Sequence, residues 1–259
     1  KIRLNYYDSE EVDNVDDIKN TIIKESLKLV GIHERIYIGT VADVQASTGL
    51  GSSSSFAVGL LHALYRHKGI NVTKGQLAEE ASHIEIDVLK SPIGKQDQYA
   101  ASFGGMNYFR FNSDGTVTIQ PVILRTTELK EFFDSMLVFW TGITRSANSI
   151  LKEQDNNNSK SSNINLLERM RDQATQMKLQ MVSGDFNLKN FGHMMNEAWE
   201  MKRSLASKVS NKTIDLAYAD SLKEGAYGGK ISGAGGGGFL NIFANKKDHK
   251  KIIRSLEKK

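Results

Sequence analysis

A glycine–serine segment with the sequence GLGSSSS, at residues 49–55, most constrains what this chain can fold into. β-Forming residues cluster upstream of it, at residues 35–41, and predict a strand. Apolar side chains at helical spacing follow it, from Phe56 to Tyr65, and Gly69 ends that pattern. The segment therefore lies between a strand and the start of a helix, which predicts a mixed α/β fold.

Strands and helices alternate along the rest of the chain. β-Forming runs predict strands at residues 1–6, 103–111, 116–123, 136–140, near Lys230 and at residues 239–243. Amphipathic runs predict helices at residues 18–30, at residues 74–89, in three stretches that end near Lys223, and after residue 243. A cluster of turn residues at 112–115 predicts a β-hairpin.

A tract rich in Asn and Ser, at residues 155–163, interrupts this alternation. We expect a mobile surface loop there, because such a composition buries too little apolar surface to order the chain. We place a domain boundary near Leu129. It divides the chain into an N-terminal domain of residues 1–128 and a C-terminal domain of residues 129–259.

Composition excludes several classes of protein. The chain has no cysteine, which excludes a disulfide framework, thiolate metal sites and a zinc deaminase. The net charge of +4 is small and its basic residues are dispersed, so we expect no nucleic-acid partner. No run approaches the roughly 20 apolar residues that span a bilayer, and residues 1–11 lack the apolar core of a secretory signal. We therefore expect a cytoplasmic protein with no membrane partner.

The start of the helix after Gly51 is a candidate phosphate site. Unpaired backbone N–H groups and the helix dipole favour an anion there, and glycines let the backbone approach phosphate oxygens. The chain contains no GxxxxGK[ST] segment, so this is not a Walker A loop. An ordinary helix capped by serine is the alternative, because serine is a preferred N-cap residue. The candidate residues are Gly49, Leu50, Gly51, Ser52, Ser53 and Ser54.

Glu85 is a candidate metal ligand. It shares a helical face with Ala78, Ala81 and Val88, and we expect that face to be buried. A buried carboxylate needs a positive charge nearby, which Mg²⁺ or a basic side chain could supply. The pattern alone favours an ion pair with Lys or Arg over the metal.

A polar segment with the sequence PIGKQDQY, at residues 92–99, lies between a predicted helix and a predicted strand. We interpret it as a loop, the kind of segment that carries functional residues disproportionately. Asp97 could accept a proton from a hydroxyl, and Lys95 could neutralise phosphate charge. Capping of a helix by Asp97 is the alternative.

A second glycine-rich segment, KISGAGGGG at residues 230–238, precedes a predicted strand. Gly233, Gly235 and Gly238 match GxGxxG, but a dinucleotide fingerprint requires a helix after it, which excludes a Rossmann site. The HRD and DFG triplets of protein kinases are absent from the sequence. A glycine tract that enters a strand predicts a tight backbone wall beside a ligand or another loop.

These segments together resemble the motifs of the GHMP kinase superfamily. GLGSSSSFAVGLL and KISGAGGGGF resemble its second and third motifs, and residues 85–97 resemble the acidic loop between them. The resemblance implies a two-domain α/β fold, with a ribosomal-protein-S5-like N-terminal domain and a ferredoxin-like C-terminal domain. It implies ATP at the start of the GLGSS helix, Mg²⁺ on Ser53 and Glu85, and a base at Asp97 that Lys95 assists. Substrate contacts are implied for Ser232, Gly233, Ala234, Gly235 and Gly236.

A narrower resemblance concerns the sugar. LAEEASHIEIDVLKSPIGKQDQYAASFGGMN and FWTGITRSANSILKEQ resemble the branch of the family that phosphorylates D-glycero-D-manno-heptose 7-phosphate at its anomeric oxygen. This implies a sugar phosphate and ATP as partners, a role in nucleotide-activated heptose biosynthesis, and a chain that can form a homodimer. Arg145 is the candidate contact for the sugar's own phosphate, with a surface Arg at a helix start as the alternative. Two alternatives for the function stay open: a kinase for another sugar such as fucose, and a catalytically silent sensor of ATP and sugar.

The sequence departs from the family pattern in two places. Gln45 stands where the family usually has a proline in its second motif, which alters the stiffness of the loop. The first motif, an N-terminal strand and loop that help to bind substrate, has no counterpart before Lys1. Because residues 1–6 read as the middle of a sheet, we expect a further segment to precede them.

Overall fold

The computed structural model describes residues 1–44, 47–144, 147–158, 161–184 and 186–257. Its internal contacts divide the chain into two compact units. Unit 1 consists of Lys1–Ala46 and Gly51–Gly105, and unit 2 consists of Ser47–Leu50 and Met106–Lys259. The GLGSSSS segment is shared, because Gly49 belongs to unit 2 and the residues from Gly51 onward belong to unit 1.

Unit 1 combines a three-stranded sheet with several helices. Its strands are β1 (Ile2–Asn5), β2 (Ser9–Val12) and β3 (Ile36–Gly39). Its helices are α1 (Thr21–Val30), α2 (Ser52–His67), α3 (Lys74–Ser82), which continues as the π-helical turn His83–Val88, and α4 (Gln96–Phe103). The strand order is β2-β1-β3, so the expectation that residues 1–6 lie in the middle of a sheet is confirmed.

The core of unit 1 fixes the position of α2. Ile2 and Leu4 of β1 pack with Ile23 and Leu27 of α1 and with Leu61 of α2, and each is at most 2% exposed. Full burial of a side chain of this size contributes roughly 1.5–3 kcal/mol. The packing therefore holds the helix whose first turn carries the candidate phosphate site.

Unit 2 contains a β-hairpin, a second three-stranded sheet and several helices. The hairpin is β4 (Asn107–Phe111) and β5 (Val117–Pro121), and the antiparallel sheet has the order β6 (Met136–Trp140), β8 (Phe239–Ala244), β7 (Ala226–Ile231). The helices are α5 (Thr126–Asp134), α6 (Ala147–Asn158), α7 (Ser161–Val182), α8 (Leu188–Arg203), α9 (Lys212–Lys223) and α10 (His249–Leu256). The predicted hairpin, the strands at residues 136–140 and 239–243, and the strand near Lys230 are confirmed. Among the described residues, no helix combines the length and the apolar composition that crossing a bilayer requires.

The prediction of a mobile loop at residues 155–163 is wrong where the structure describes that tract. Helix α6 continues to Asn158, and α7 begins at Ser161. Contacts with the segment before α9 offset the poor helix propensity of this tract. Nδ2 of Asn157 donates to the carbonyl of Leu205 at 3.2 Å, and the Glu153 carboxylate accepts from the backbone N–H of Ser207 at 2.8 Å.

The polar segment at residues 92–99 is a loop only in its first half. Helix α4 begins at Gln96 and ends at Phe103, where a strand was predicted to begin. Two adjacent side chains of α4, Gln98 and Tyr99, are buried, and Gly104 ends the helix with a φ of +64°. The apolar pattern did not reveal this helix because one of its buried side chains is an amide.

The boundary between the two units falls after Gly105. The β4–β5 hairpin groups with unit 2 because it contacts α7: the hydroxyl of Tyr108 lies 3.1 Å from Oγ1 of Thr175, and Lys178 donates to Gln120. The division of the family domains at residues 128 and 129 stays a prediction.

Candidate active site

Helix α2 begins without a side-chain cap. Gly51 is its N-cap residue, with a left-handed φ of +69°, and no side chain of the described residues caps the N–H groups of the first turn. The alternative of a helix capped by serine is therefore wrong, because Ser52 to Ser55 already lie inside the helix. The first N–H groups of a helix have no partner within it, so an anion can bind them.

The carboxylate of Asp97 lies against Gly51. A methyl group at Gly51 would come within 3.3 Å of Cγ and Oδ2 of Asp97, so the missing side chain allows this close approach. Asp97 is not the N-cap residue of α4, since Lys95 holds that position. The structure thus brings the predicted base next to the start of α2.

Glu85 is buried, as its helical face predicts. Only 3% of the residue is exposed, and Nε2 of Gln98 donates to its Oε2 at 2.6 Å. Val88 was predicted on the same buried face but is 42% exposed. The reason is the π-helical turn His83–Val88, whose wider turn changes the phase of the side chains that follow Glu85.

The surroundings of Glu85 fit a divalent cation. Within the described part of the chain, no Lys or Arg pairs with Glu85, and its Oε1 accepts no hydrogen bond. A buried carboxylate without a positive partner is costly, and a hard carboxylate oxygen is a ligand that Mg²⁺ prefers. The described residues hold no cluster of three or more His, Asp or Glu side chains that could bind a metal by itself. One carboxylate combined with nucleotide phosphates is a common way to bind Mg²⁺.

Lys95 is held by an acidic partner. Its Nζ lies 2.8 Å from Oε2 of Glu79, which also accepts a hydrogen bond from the hydroxyl of Tyr99. Burial raises the pKa of Glu79, but the hydrogen bonds from Lys95 and Tyr99 outweigh it and keep the pKa below its usual value. Lys95 and Glu79, with Glu80 and Asp87, line a pocket of about 310 Å³. The ammonium of Lys95 has three N–H donors, and one of them is used by Glu79. The predicted role of Lys95 beside a phosphate stays a prediction.

The second glycine segment packs directly on the first within unit 2. A methyl group at Gly49 would lie 2.7 Å from the carbonyl oxygen of Ser232, and one at Gly233 would lie 2.8 Å from Cα of Gly49. A methyl group at Gly238 would lie 2.1 Å from the carbonyl oxygen of Thr48. Only glycine permits such approaches between backbones. The prediction of a tight backbone wall beside another loop is confirmed.

Hydrogen bonds fix the conformation of this wall. The backbone N–H of Gly236 donates to Val209 at 2.6 Å, and Lys202 donates to the carbonyl of Gly233. Nδ2 of Asn241 donates to Oγ of Ser232 at 2.7 Å, which leaves the hydroxyl hydrogen of Ser232 able to donate elsewhere. Ala234 and Gly235 are buried. The role of Ser232 and residues 233–236 in substrate binding stays a prediction.

Two family profiles match the chain. The profile described as "GHMP kinases N terminal domain" matches residues 18–105, and "GHMP kinases C terminal" matches residues 182–259. Together they cover well over half of the sequence. They contain the two glycine segments and the predicted acidic site residues, Glu85 and Asp97. The chain belongs to the GHMP kinase family.

Similar proteins include sugar kinases. A D-glycero-alpha-D-manno-heptose 7-phosphate kinase of Campylobacter jejuni is 29% identical over 219 residues, which are 85% of this chain and 64% of that protein. An L-fucokinase/L-fucose-1-P guanylyltransferase of Bacteroides fragilis is 31% identical over 238 residues, which are 90% of this chain and 24% of that protein. The chain thus spans less than two thirds of the length of both relatives.

Solved structures of the family share the fold. A D-glycero-D-manno-heptose 1-phosphate kinase of Bacteroides thetaiotaomicron superposes with a TM-score of 0.78 at 24% identity, over 100% of this chain and 77% of that chain. The mixed α/β GHMP fold that the sequence predicts is therefore confirmed. Arg145 and Gln45 lie outside the described residues.

Two residues for which the sequence predicts no role contact the predicted site residues. Gln98 holds Glu85, and Glu79 holds Lys95. Gln98 directly follows Asp97, so a helix at residues 96–103 would have pointed the two side chains in different directions. The interpretation of this segment as a loop concealed that signal.

We expect Gly238→Ala to destabilise the protein by about 2–5 kcal/mol. The φ of Gly238 is +89°, which strains any other residue, and the added methyl group would collide with Thr48. Gly115→Ala is the matched control, because Gly115 has a φ of +84° but no atom near the position of a methyl group. Urea unfolding measures both variants. If Gly238→Ala costs no more than the control, the two glycine segments do not pack as described.

Proposed function

We propose that this protein transfers the γ-phosphoryl group of ATP to the anomeric oxygen of D-glycero-D-manno-heptose 7-phosphate. The product is the 1,7-bisphosphate, a precursor for nucleotide-activated heptose. The contact between Asp97 and Gly51 at the uncapped start of α2 carries the proposal. It combines a base with an anion site, which transfer of a phosphoryl group to a hydroxyl requires. The similarity to the Campylobacter jejuni enzyme supports heptose 7-phosphate as the acceptor.

Asp97 is the proposed base. As the anomeric oxygen bonds to the γ-phosphorus, the bond from that phosphorus to the oxygen of the ADP leaving group breaks. The hydroxyl proton passes to the carboxylate of Asp97. Asp97 is partly exposed, so the proton can then leave to solvent. The N–H groups at the start of α2 bind the phosphates, and Lys95 offsets their charge.

Ser53 and Glu85 are the proposed Mg²⁺ ligands. Ser53 is exposed in the first turn of α2, and Glu85 is buried without an ion-pair partner among the described residues. When bound, Mg²⁺ neutralises charge that develops on the β- and γ-phosphate oxygens. Ser232, residues 233–236 and Arg145 are the proposed substrate contacts. The guanidinium of an Arg suits a phosphate dianion.

A kinase for fucose is the second candidate. The 31% identity to the Bacteroides fragilis fucokinase favours it, because that alignment includes 90% of this chain. A silent sensor of ATP and sugar is disfavoured by Asp97, since a protein that only binds its ligands has no need of a base.

Release of ADP with a panel of acceptors tests the proposal. We expect the whole protein to use heptose 7-phosphate at least about tenfold more efficiently, by kcat/KM, than free heptose or fucose. The expected preference comes from the phosphate, which a cationic side chain can bind in a bidentate manner. Preference for a free sugar would replace the heptose assignment with the fucose alternative. Binding of both ligands without ADP release would favour the sensor.

A further inference from the structure

The side chain of Gln98 is fully buried, and its amide has one satisfied end. The residue is 0% exposed, and Nε2 donates to Oε2 of Glu85 at 2.6 Å. Its Oε1 is buried and has no hydrogen-bond partner among the described residues. A buried acceptor without a partner is unfavourable and rare in native proteins, so its presence requires an explanation.

The explanation lies in the direction of the amide. Rotation of the amide by half a turn would place Oε1 of Gln98 against the carboxylate of Glu85, and two acceptors repel each other. The direction that satisfies Glu85 is therefore the one that leaves Oε1 of Gln98 without a donor. The chain retains an unfavourable acceptor and thereby keeps one oxygen of Glu85 in a fixed hydrogen bond.

The backbone on both sides of this hydrogen bond orients the side chains, and on the Glu85 side it is unusual. Glu85 lies in a π-helical turn, where the N–H of Leu89 donates to the carbonyl of Ile84 at 2.9 Å. Turns of this kind occur frequently at functional sites. On the other side, the consecutive residues Asp97 and Gln98 lie in the first turn of α4, and their side chains contact Gly51 and Glu85, respectively. Consecutive residues of a helix point about 100° apart, so one rigid turn orients both side chains.

We propose that Gln98 is a positioning residue for the metal–nucleotide complex. Its Nε2 holds Oε2 of Glu85 and thereby presents Oε1 of Glu85 to the divalent cation. The inference rests on the proposed function, because the cation arrives with ATP. Residues that orient a metal ligand typically change metal affinity by about 10–100-fold when they are replaced.

Calorimetric titration with a non-hydrolysable ATP analogue tests this role without a measurement of activity. Binding of the analogue is measured with Mn²⁺ and again in a metal chelator, and the ratio of the two affinities reports the contribution of the metal. Gln98→Met has nearly the same volume but no donor. We expect it to lower the ratio by about 10–100-fold, while the affinity measured in chelator changes less than about twofold.

Three further variants separate positioning from packing. Gln98→Asn keeps the amide but withdraws it from Glu85, and we expect the same loss in the affinity ratio. This variant also tests the role of Gln98 if Gln98→Met does not fold. Tyr99→Phe is the matched control, because its hydroxyl donates to Glu79 and not to Glu85, and the ratio should not change. In a Glu85→Gln background, Gln98→Met should lower the ratio no further, since Gln98 acts through Glu85.

The outcomes distinguish this inference from the proposed function. An unchanged ratio in both Gln98 variants, with a wild type that binds the Mn²⁺ complex more tightly, would overturn the positioning role. A further loss in the Glu85→Gln background would also overturn it. If Mn²⁺ does not tighten binding to the wild type, the metal site and the inference fail together. If the ratios behave as expected but no sugar is phosphorylated, the inference stands and the proposed function fails.

Discussion

Replacement of Asp97 by Asn is expected to lower kcat by about 10²–10⁴-fold, with little change in the affinity for ATP. The amide keeps the size and most of the hydrogen bonding of the carboxylate, and it still fits beside Gly51. It cannot accept the hydroxyl proton, so the loss falls on the transition state and not on ground-state binding. Steady-state kinetics and titration of an ATP analogue measure the two effects separately.

Asp172→Asn is the control for Asp97. Asp172 is an exposed carboxylate on α7 that pairs with Arg171, so its replacement should leave kcat unchanged. A kcat of Asp97→Asn within about threefold of the wild type would exclude general base catalysis by Asp97, which should contribute at least about 10²-fold. A loss of ATP affinity as large as the loss of kcat would indicate that Asp97 acts in binding.

Replacement of Glu85 by Gln is expected to raise the Mg²⁺ concentration for half-maximal activity by at least about tenfold. The amide keeps the shape of the side chain and can still accept from Gln98, but it lacks the charge that a cation needs. Stability should not fall, because burial of a neutral amide costs less than burial of an unpaired carboxylate. Magnesium titration of the rate at saturating ATP and thermal unfolding measure both effects.

Glu10 offers a matched control in the same unit. Burial raises the pKa of Glu10, but the N–H groups of Lys19 and Asn20 and the hydroxyl of Tyr6 outweigh it and hold the pKa below its usual value. Glu10→Gln should therefore reduce stability, since an amide accepts fewer of these hydrogen bonds, and should leave the Mg²⁺ dependence unchanged. An unchanged Mg²⁺ titration in Glu85→Gln, with normal thermal stability, would remove Glu85 from the site.

Periodicity predicted most of the fold because apolar spacing decides which face of an element is buried. The strands of the β6-β8-β7 sheet and helix α2 follow this rule. Strand β2 was not predicted because the buried side chain of its sequence, SEEV, is a glutamate and not an apolar residue. Hydrogen bonds from nearby backbone N–H groups satisfy this side chain, Glu10. The continuation of α6 to Asn158 depends on a contact with Leu205, which lies far away in the sequence.

The candidate site was predictable in its residue types but not in its contacts. A carboxylate on an apolar helical face identified Glu85 as buried. The pattern favoured a basic partner for it, whereas the structure brings Gln98 there. The π-helical turn was not predictable, because a contact beyond the helix accompanies it: the N–H of Ser91 donates to the carbonyl of Glu85 at 3.0 Å.

Phosphorus NMR of a reaction that contains the whole protein, MgATP and D-glycero-D-manno-heptose 7-phosphate tests the central claim most directly. We predict a second sugar phosphorus resonance, coupled to the anomeric proton, that grows in proportion to ADP while the 7-phosphate resonance persists. Release of inorganic phosphate without a new sugar phosphate, or a new phosphate coupled to any proton other than the anomeric one, would contradict the account.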